Sequence, residues 1–272
     1  MAMEGSFVLL RVLWRDSFVL GAVGGLLAAY VGWERRPRAL ALSLGIAAIG
    51  SFFAGTVATL VVAVAAVALT LVACGTASFA CHVAKYWFEQ IAGLPVDVDI
   101  ASEFRYREPP LSDRSWALFV SQSGETADTL AALRYAKDKV AKVLSVVNVP
   151  TSSIARESDL ALPILAGIEV GVASTKAFTC QLAVLALLAL KAAQDRGRLT
   201  PAELAAHLAQ FRLLPGLMNH ALGLAGDIEK LSEQLAEAQD VLFLGRGPMF
   251  PLALEGALKL KEISYIHAEG YA

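Results

Sequence analysis

Ser121-Gln-Ser-Gly-Glu-Thr-Ala-Asp-Thr129 stands between two segments of different period. Before it, Trp116–Val120 is an apolar run of strand length. After it, Leu130, Ala131, Leu133 and Ala136 recur at helical spacing among good helix formers. A strand that enters a helix through small hydroxyl residues and a glycine makes a favourable place for an anion. Gly124 admits backbone angles closed to other residues, and the unpaired amides at the helix start carry partial positive charge. Ser121, Ser123 and Thr126 offer hydroxyls and Gln122 an amide, enough to hold phosphate oxygens without a cation. An ordinary helix cap is the plain alternative, because Ser and Thr are favoured there for local reasons. Repetition of the pattern along the chain favours the anion reading.

Working outward, Ala68–Ala73 is a second apolar run, followed by Cys74-Gly-Thr76 and a helical pattern from about residue 78 to 91. Lys85 and Glu89 share the exposed face of that helix, with Val83, Tyr86, Trp87 and Ile91 inward. Residues 96–101 alternate as a half-buried strand, and 103–115 reads as a charged loop. Lys142–Asn148, closed by Pro150, is another core strand. Leu160–Leu165 is a short one whose Pro163 suits a sheet edge. Gly171–Lys176 then leads into a long apolar helix to about residue 196. Strands alternating with helices predict an α/β fold, a parallel sheet covered on both faces, with ligands at the carboxyl ends of its strands. The loops at 74–78, 121–126 and 172–176 converge there on this reading.

The flanks differ in character. The chain has 272 residues and a formal net charge of −2, with no basic cluster that would suggest nucleic acid. Mean hydropathy is +0.57, and the apolar excess lies in the first quarter. No charge occurs from Ser17 to Trp33 or from Ala39 to Thr76. A membrane hairpin turning at Glu34–Arg38 is expected over residues 1–67, with membrane association through residues 17–67. A pair of apolar helices packed in a soluble assembly is the alternative, and arginines on both sides leave the orientation open. Cys74, Cys81 and Cys180 are odd in number and spaced unlike a zinc site, so neither metal nor disulfide is expected.

Beyond the first sheet (68–198), Thr200-Pro-Ala-Glu203 opens a helical connector (199–238) interrupted near Pro215. Asp240–Leu244, Gly245-Arg-Gly247 and a helix from Phe250 to about Ser264 then repeat the strand–loop–helix unit, partially, over 239–272. On that helix Glu255, Lys259 and Glu262 share one face. They suit either proton transfer or a solvated ladder of ion pairs.

As a set these motifs resemble the isomerase half of the glutamine–fructose-6-phosphate aminotransferase family, also called glucosamine-6-phosphate synthase, over residues 69–272. The matching stretches are Cys-Gly-Thr at 74–76, Ala-Ser-Glu-Phe-Arg-Tyr-Arg at 101–107 and the loop at 121–129. They continue through Asn148–Pro150, Arg156–Asp159, Gly171–Phe178, Leu244–Gly247 and Leu254–Tyr271. The resemblance implies the sugar isomerase (SIS) fold, with its second unit incomplete here. It also implies conversion of fructose 6-phosphate and glutamine to glucosamine 6-phosphate and glutamate, without metal or organic cofactor, in a cytoplasmic homodimer. With the N-terminal segment it would be anchored to the inner membrane. By position, Ser121, Gln122, Ser123 and Thr126 hold the phosphate with Thr76 close by, and Val172 and Ser174 line the sugar site. Glu262 is the base between sugar carbons one and two, with Lys259 its neighbour.

The chain departs from the family pattern in lacking the glutaminase domain, the ring-opening histidine and the imine-forming lysine. Ala77 replaces a serine of some members. The expectation is a chain that binds sugar phosphate without turning it over. Its alternatives are a membrane-tethered binding module and a fusion of two unrelated segments near residue 68. A partial second unit is also expected to leave faces of the helices at 176–196 and 250–264 exposed.

Overall fold

The computed structural model describes residues 66–171 and 173–272. The apolar hairpin expected over residues 1–67, and its membrane contact, lie outside the described residues except for Ala66 and Val67 at its end. The first strand, β1 (Leu69–Ala73), is buried along its whole length. It is followed by α1 (Gly75–Gln90), β2 (Val96–Ile100), α2 (Ala101–Arg107), β3 (Trp116–Ser121), α3 (Ala127–Ala136), β4 (Lys142–Val147), α4 (Ser153–Glu157), β5 (Leu160–Pro163) and α5 (Lys176–Asp195). The strands form one parallel sheet in the order β2-β1-β3-β4-β5. Strand order reverses between β1 and β3, so the loops leaving those two strands part and open a crevice at their carboxyl ends.

Successive residues of a strand point to opposite faces, and both faces here are dry. Leu71, Leu118 and Val146 pack with Ala80 and Ala84 of α1 and Val184, Leu185 and Leu188 of α5. Val72, Phe119 and Val147 pack on the other side with Phe104, Leu133 and Ile154 of α2, α3 and α4. Among the described residues, α5 is the one helix long and apolar enough to cross a membrane, yet more than half of it is buried against the sheet and α1. The expectation that its face lies exposed is therefore wrong. Arg196, just past its end, donates to the carbonyls of Ala66, Ala92 and Gly93 and ties it to the lower edge of the sheet.

The charged stretch expected as a loop is in part α2. Phe104 is fully buried there, its ring edge-on to Phe119 and Tyr135 at 6.4 and 5.8 Å between centroids. Arg107 closes the helix back onto Asp99 through two bonds of 2.9 and 2.7 Å. Two turns of helix are too short to show a 3.6-residue period, so tertiary packing rather than pattern sets this element.

The chain continues through α6 (Pro201–Phe211), α7 (Leu214–Leu222) and α8 (Ala225–Leu235). Thr200 and Glu203 form a reciprocal cap at the start of α6, and Pro215 sits in the first turn of α7. These three helices bury Leu204 and little else, and several apolar residues of this region stand in water: Leu213, Leu217, Leu222, Ile228 and Leu231. The repeat unit that follows is β6 (Asp240–Leu244), α9 (Met249–Ser264) and β7 (His267–Tyr271), with β6 and β7 paired in parallel. Pro251, Ala253, Glu255 and Ala257 of α9 are buried and the helix packs on α1, while Met249 and Ile263 stand in water, so the exposed face expected from sequence is present in part.

Truncating Phe104 removes the side chain on which α2, α3 and the sheet meet. Phe104→Ala is expected to cost about 3–5 kcal/mol of stability in urea unfolding.

Candidate functional site

The loop between β3 and α3 is held in one shape by its own side chains and by the helix beneath it. Ser121 Oγ accepts from the Gly124 amide at 3.0 Å and lies 3.0 Å from Thr126 Oγ1. Ser123 Oγ accepts from the Glu125 amide at 3.1 Å. Gly124 has φ +67°, and a β-carbon there would meet Ser152 Oγ at 2.0 Å, so glycine is required both by angle and by space. The Gly124 carbonyl accepts from the Ile154 amide at 3.0 Å, and Glu125 turns away from the loop to accept from the Ser153 amide at 2.7 Å. That bond, with the charge of Arg156, holds the Glu125 carboxyl below its ordinary range.

Above this loop is an open cleft of about 170 Å³. The first loop lines it with Cys74, Thr76 and Ala77, the second with Ser121, Gln122, Ser123, Thr126 and Thr129, and the third with Ser174 and, one turn into α5, Gln181. The expected convergence of the three loops is thus present in the geometry. Val172 lies outside the described residues. Two wall residues are absent from the sequence reading. Thr129 and Gln181 are 1% and 2% exposed, and Thr129 Oγ1 and Gln181 Oε1 have no hydrogen-bond partner among the described residues. An unpartnered buried polar group is costly, and a ligand that supplies the missing bonds removes that cost. The one amide in the apolar run Cys180–Leu190 was the available signal for Gln181. A larger cleft, about 820 Å³, opens at the amino-terminal edge of the sheet around Ala66, Arg114 and Lys142, away from all three loops. It lacks the hydroxyl loops and helix starts that make the smaller cleft chemically capable.

Lys259 and Glu262 do not line the cleft. Lys259 Nζ is 2.6 Å from Glu262 Oε2 and 3.5 Å from Glu255 Oε1, and Glu255 Oε1 accepts from the Thr76 hydroxyl at 3.1 Å. Glu255 therefore links the α9 charges to a residue of the cleft wall. It is 6% exposed and its second oxygen has no partner among the described residues, so this end of the Glu255–Lys259–Glu262 row is not solvated. Burial raises its pKa above the usual carboxylate range, while Lys259 and the Thr76 bond pull the other way.

A group whose folded pKa is raised contributes stability at low pH and loses it as the pH climbs through the folded value. Melting temperatures of Glu255→Gln relative to the unmodified chain should accordingly improve as pH rises above about 4. A flat difference would deny the burial effect. Separately, Gly124→Ala is expected to destabilise by more than about 2 kcal/mol, and adding Ser152→Gly should restore part of the loss by making room for the methyl group.

The SIS domain family matches residues 63–191. A glutamine–fructose-6-phosphate aminotransferase (isomerizing) from Bradyrhizobium diazoefficiens is 63% identical over 204 residues, which is 75% of this chain and 34% of that protein. The protein of the same name from Brucella abortus is 62% identical over the same shares. The chain spans about a third of the length of the curated relatives it matches. Among solved structures, the C-terminal domain of glucosamine-fructose-6-phosphate aminotransferase from Francisella tularensis aligns with a TM-score of 0.76 and 46% identity. That alignment covers 77% of this chain and 60% of that one. The sheet, the cleft and these relatives agree: residues 63–191 match the SIS domain, and three quarters of the chain is similar to part of glutamine–fructose-6-phosphate aminotransferase.

Proposed function

We propose that this chain carries the sugar-phosphate-binding portion of an isomerising aminotransferase site, over a SIS unit at 68–198, a connector at 199–238 and the start of a second unit at 239–272. The observation that carries the reading is the meeting of three strand-end loops on one cleft walled by hydroxyls, with two buried polar atoms left for a ligand. Ser121, Gln122, Ser123 and Thr126, at the start of α3, take the phosphate of fructose 6-phosphate or glucosamine 6-phosphate. Hydroxyls and amides there supply donors, and the helix dipole supplies the field. Thr76 and Ser174 face the sugar, and Val172 is assigned to it by its place in the sequence. Glu262 takes the role of the base that moves the proton between sugar carbons one and two, with Lys259 hydrogen-bonded to it as its neighbour. The amino group comes from glutamine in the reaction named for the relatives.

Association of two copies belongs to the same proposal and is supported by the apolar residues in water on α7 and α8. Membrane association through residues 17–67 is supported by their two long uncharged stretches. Turnover of fructose 6-phosphate with added ammonia would separate an enzyme from a binding module.

Calorimetric titration of fructose 6-phosphate into the full chain tests the phosphate loop. Ser123→Ala with Thr126→Ala is expected to weaken binding about tenfold or more, the loss of hydrogen bonds to a charged group. Unchanged affinity in the folded double variant would remove the loop from the site.

A further inference from the structure

Three helix starts face the cleft, those of α1, α3 and α5, and they are not equivalent. At α5, the Glu169 carboxylate accepts from the Thr175 and Ala177 amides, both at 3.2 Å, and from the Ser174 hydroxyl at 3.3 Å. The loop that carries Glu169 is pinned to the end of β4. The Asn148 side chain donates to the Gly167 carbonyl at 2.7 Å and accepts from the Ala166 amide at 2.9 Å. Lys176 donates to the Ile168 carbonyl. The charge of Glu169 is felt inside α5, where, after burial, it helps push the Cys180 thiol up to about 11. At α1, Thr76 already donates to the Glu255 carboxylate. At α3, Glu125 is turned onto the Ser153 amide, and Asp128, in the first turn of the helix, makes no hydrogen bond to the loop among the described residues.

Carboxylates of this chain are thus hydrogen-bonded at the starts of α1 and α5, while the α3 loop has none bonded to it and is open to an anion from outside. From within α5, Gln181 lines the same cleft, buried and with an amide oxygen unpartnered among the described residues, which suits a neutral hydroxyl donor.

Resting on the proposed function, we infer that Glu169 is a specificity-determining residue: an internal anion that occupies the α5 start and turns away sugars carrying a second phosphate. A ligand with one phosphate places it at α3 and presents uncharged hydroxyls to Ser174 and Gln181. A second phosphate brought toward α5 meets a fixed negative charge in place of free amides. Like charges a few ångströms apart in a partly buried cleft are worth about tenfold or more in affinity, and salt weakens the effect.

The test measures binding of fructose 6-phosphate and fructose 1,6-bisphosphate to the full chain, Glu169→Gln and Glu169→Asp, at low and high ionic strength, with melting curves for each variant. The unmodified chain should prefer the monophosphate by about tenfold or more at low salt, and by less at high salt. Glu169→Gln should lose most of that preference, and Glu169→Asp, which retains the charge, should keep it. A preference that is unaffected by salt in the unmodified chain overturns the inference, and this arm needs no variant to fold. So does a preference that survives in Glu169→Gln. Monophosphate binding with either of those results leaves the proposed function standing. No monophosphate binding to the unmodified chain overturns both.

Discussion

Gly124 and Ser152 pass so close to one another that no β-carbon fits between them, and the site depends on that contact. It sets the depth at which the β3–α3 loop lies against α4. It also aligns the Gly124 carbonyl with the Ile154 amide and leaves the hydroxyls of Ser121 and Thr126 facing upward as a bonded pair. A loop held only by its two ends would sample several arrangements of those donors, and ordering them would detract from binding. Here the ordering is complete before a ligand arrives. The short helix α4 serves as the floor of the site, although none of its residues lines the cleft.

The electrostatics of the cleft follow from the same economy of parts. It has no lysine or arginine among its lining residues. Its positive potential comes from helix ends, which are fixed in direction and cannot be displaced as a flexible side chain can. Carboxylates are hydrogen-bonded at two of those ends, and the loop at the third is open to an anion from outside. Glu255 does this at the boundary with α9, in a position buried enough to raise its pKa, so its bond to Thr76 joins the hydroxyl wall to the Lys259–Glu262 pair.

Much of this was legible in the sequence, and the parts that were not share a physical cause. The strands of the first sheet read clearly because burial on both faces demands continuous apolar runs, as in Trp116–Val120 and Lys142–Val147. The hydroxyl loops were visible because their composition is unusual and recurs. Missed elements were those specified by distant partners. The helix α2 is set by Phe104 against Phe119 and Tyr135. Strand β7, His267–Tyr271, buries only Ala268 and is defined by its pairing with β6. Gln181 and Thr129 looked like ordinary helix residues, since nothing local says that a buried amide or hydroxyl will lack a partner. Glu169 sat in a loop where a carboxylate reads as solvated, and only its three bonds to the start of α5 reveal otherwise.

The bond from Thr76 to Glu255 spans 179 residues of sequence. During synthesis at about 5–20 residues per second, the first sheet and its hydroxyl loop leave the ribosome on the order of five to twenty seconds before α9 can reach them. Through that interval α1 lacks the helix that covers its outer face, and the Thr76 hydroxyl faces water. The hydroxyl loop, by contrast, needs only residues 116–157 and can form early. The hydroxyl loop is therefore in place in the nascent chain before the Lys259–Glu262 pair is joined to it through Glu255 and Thr76.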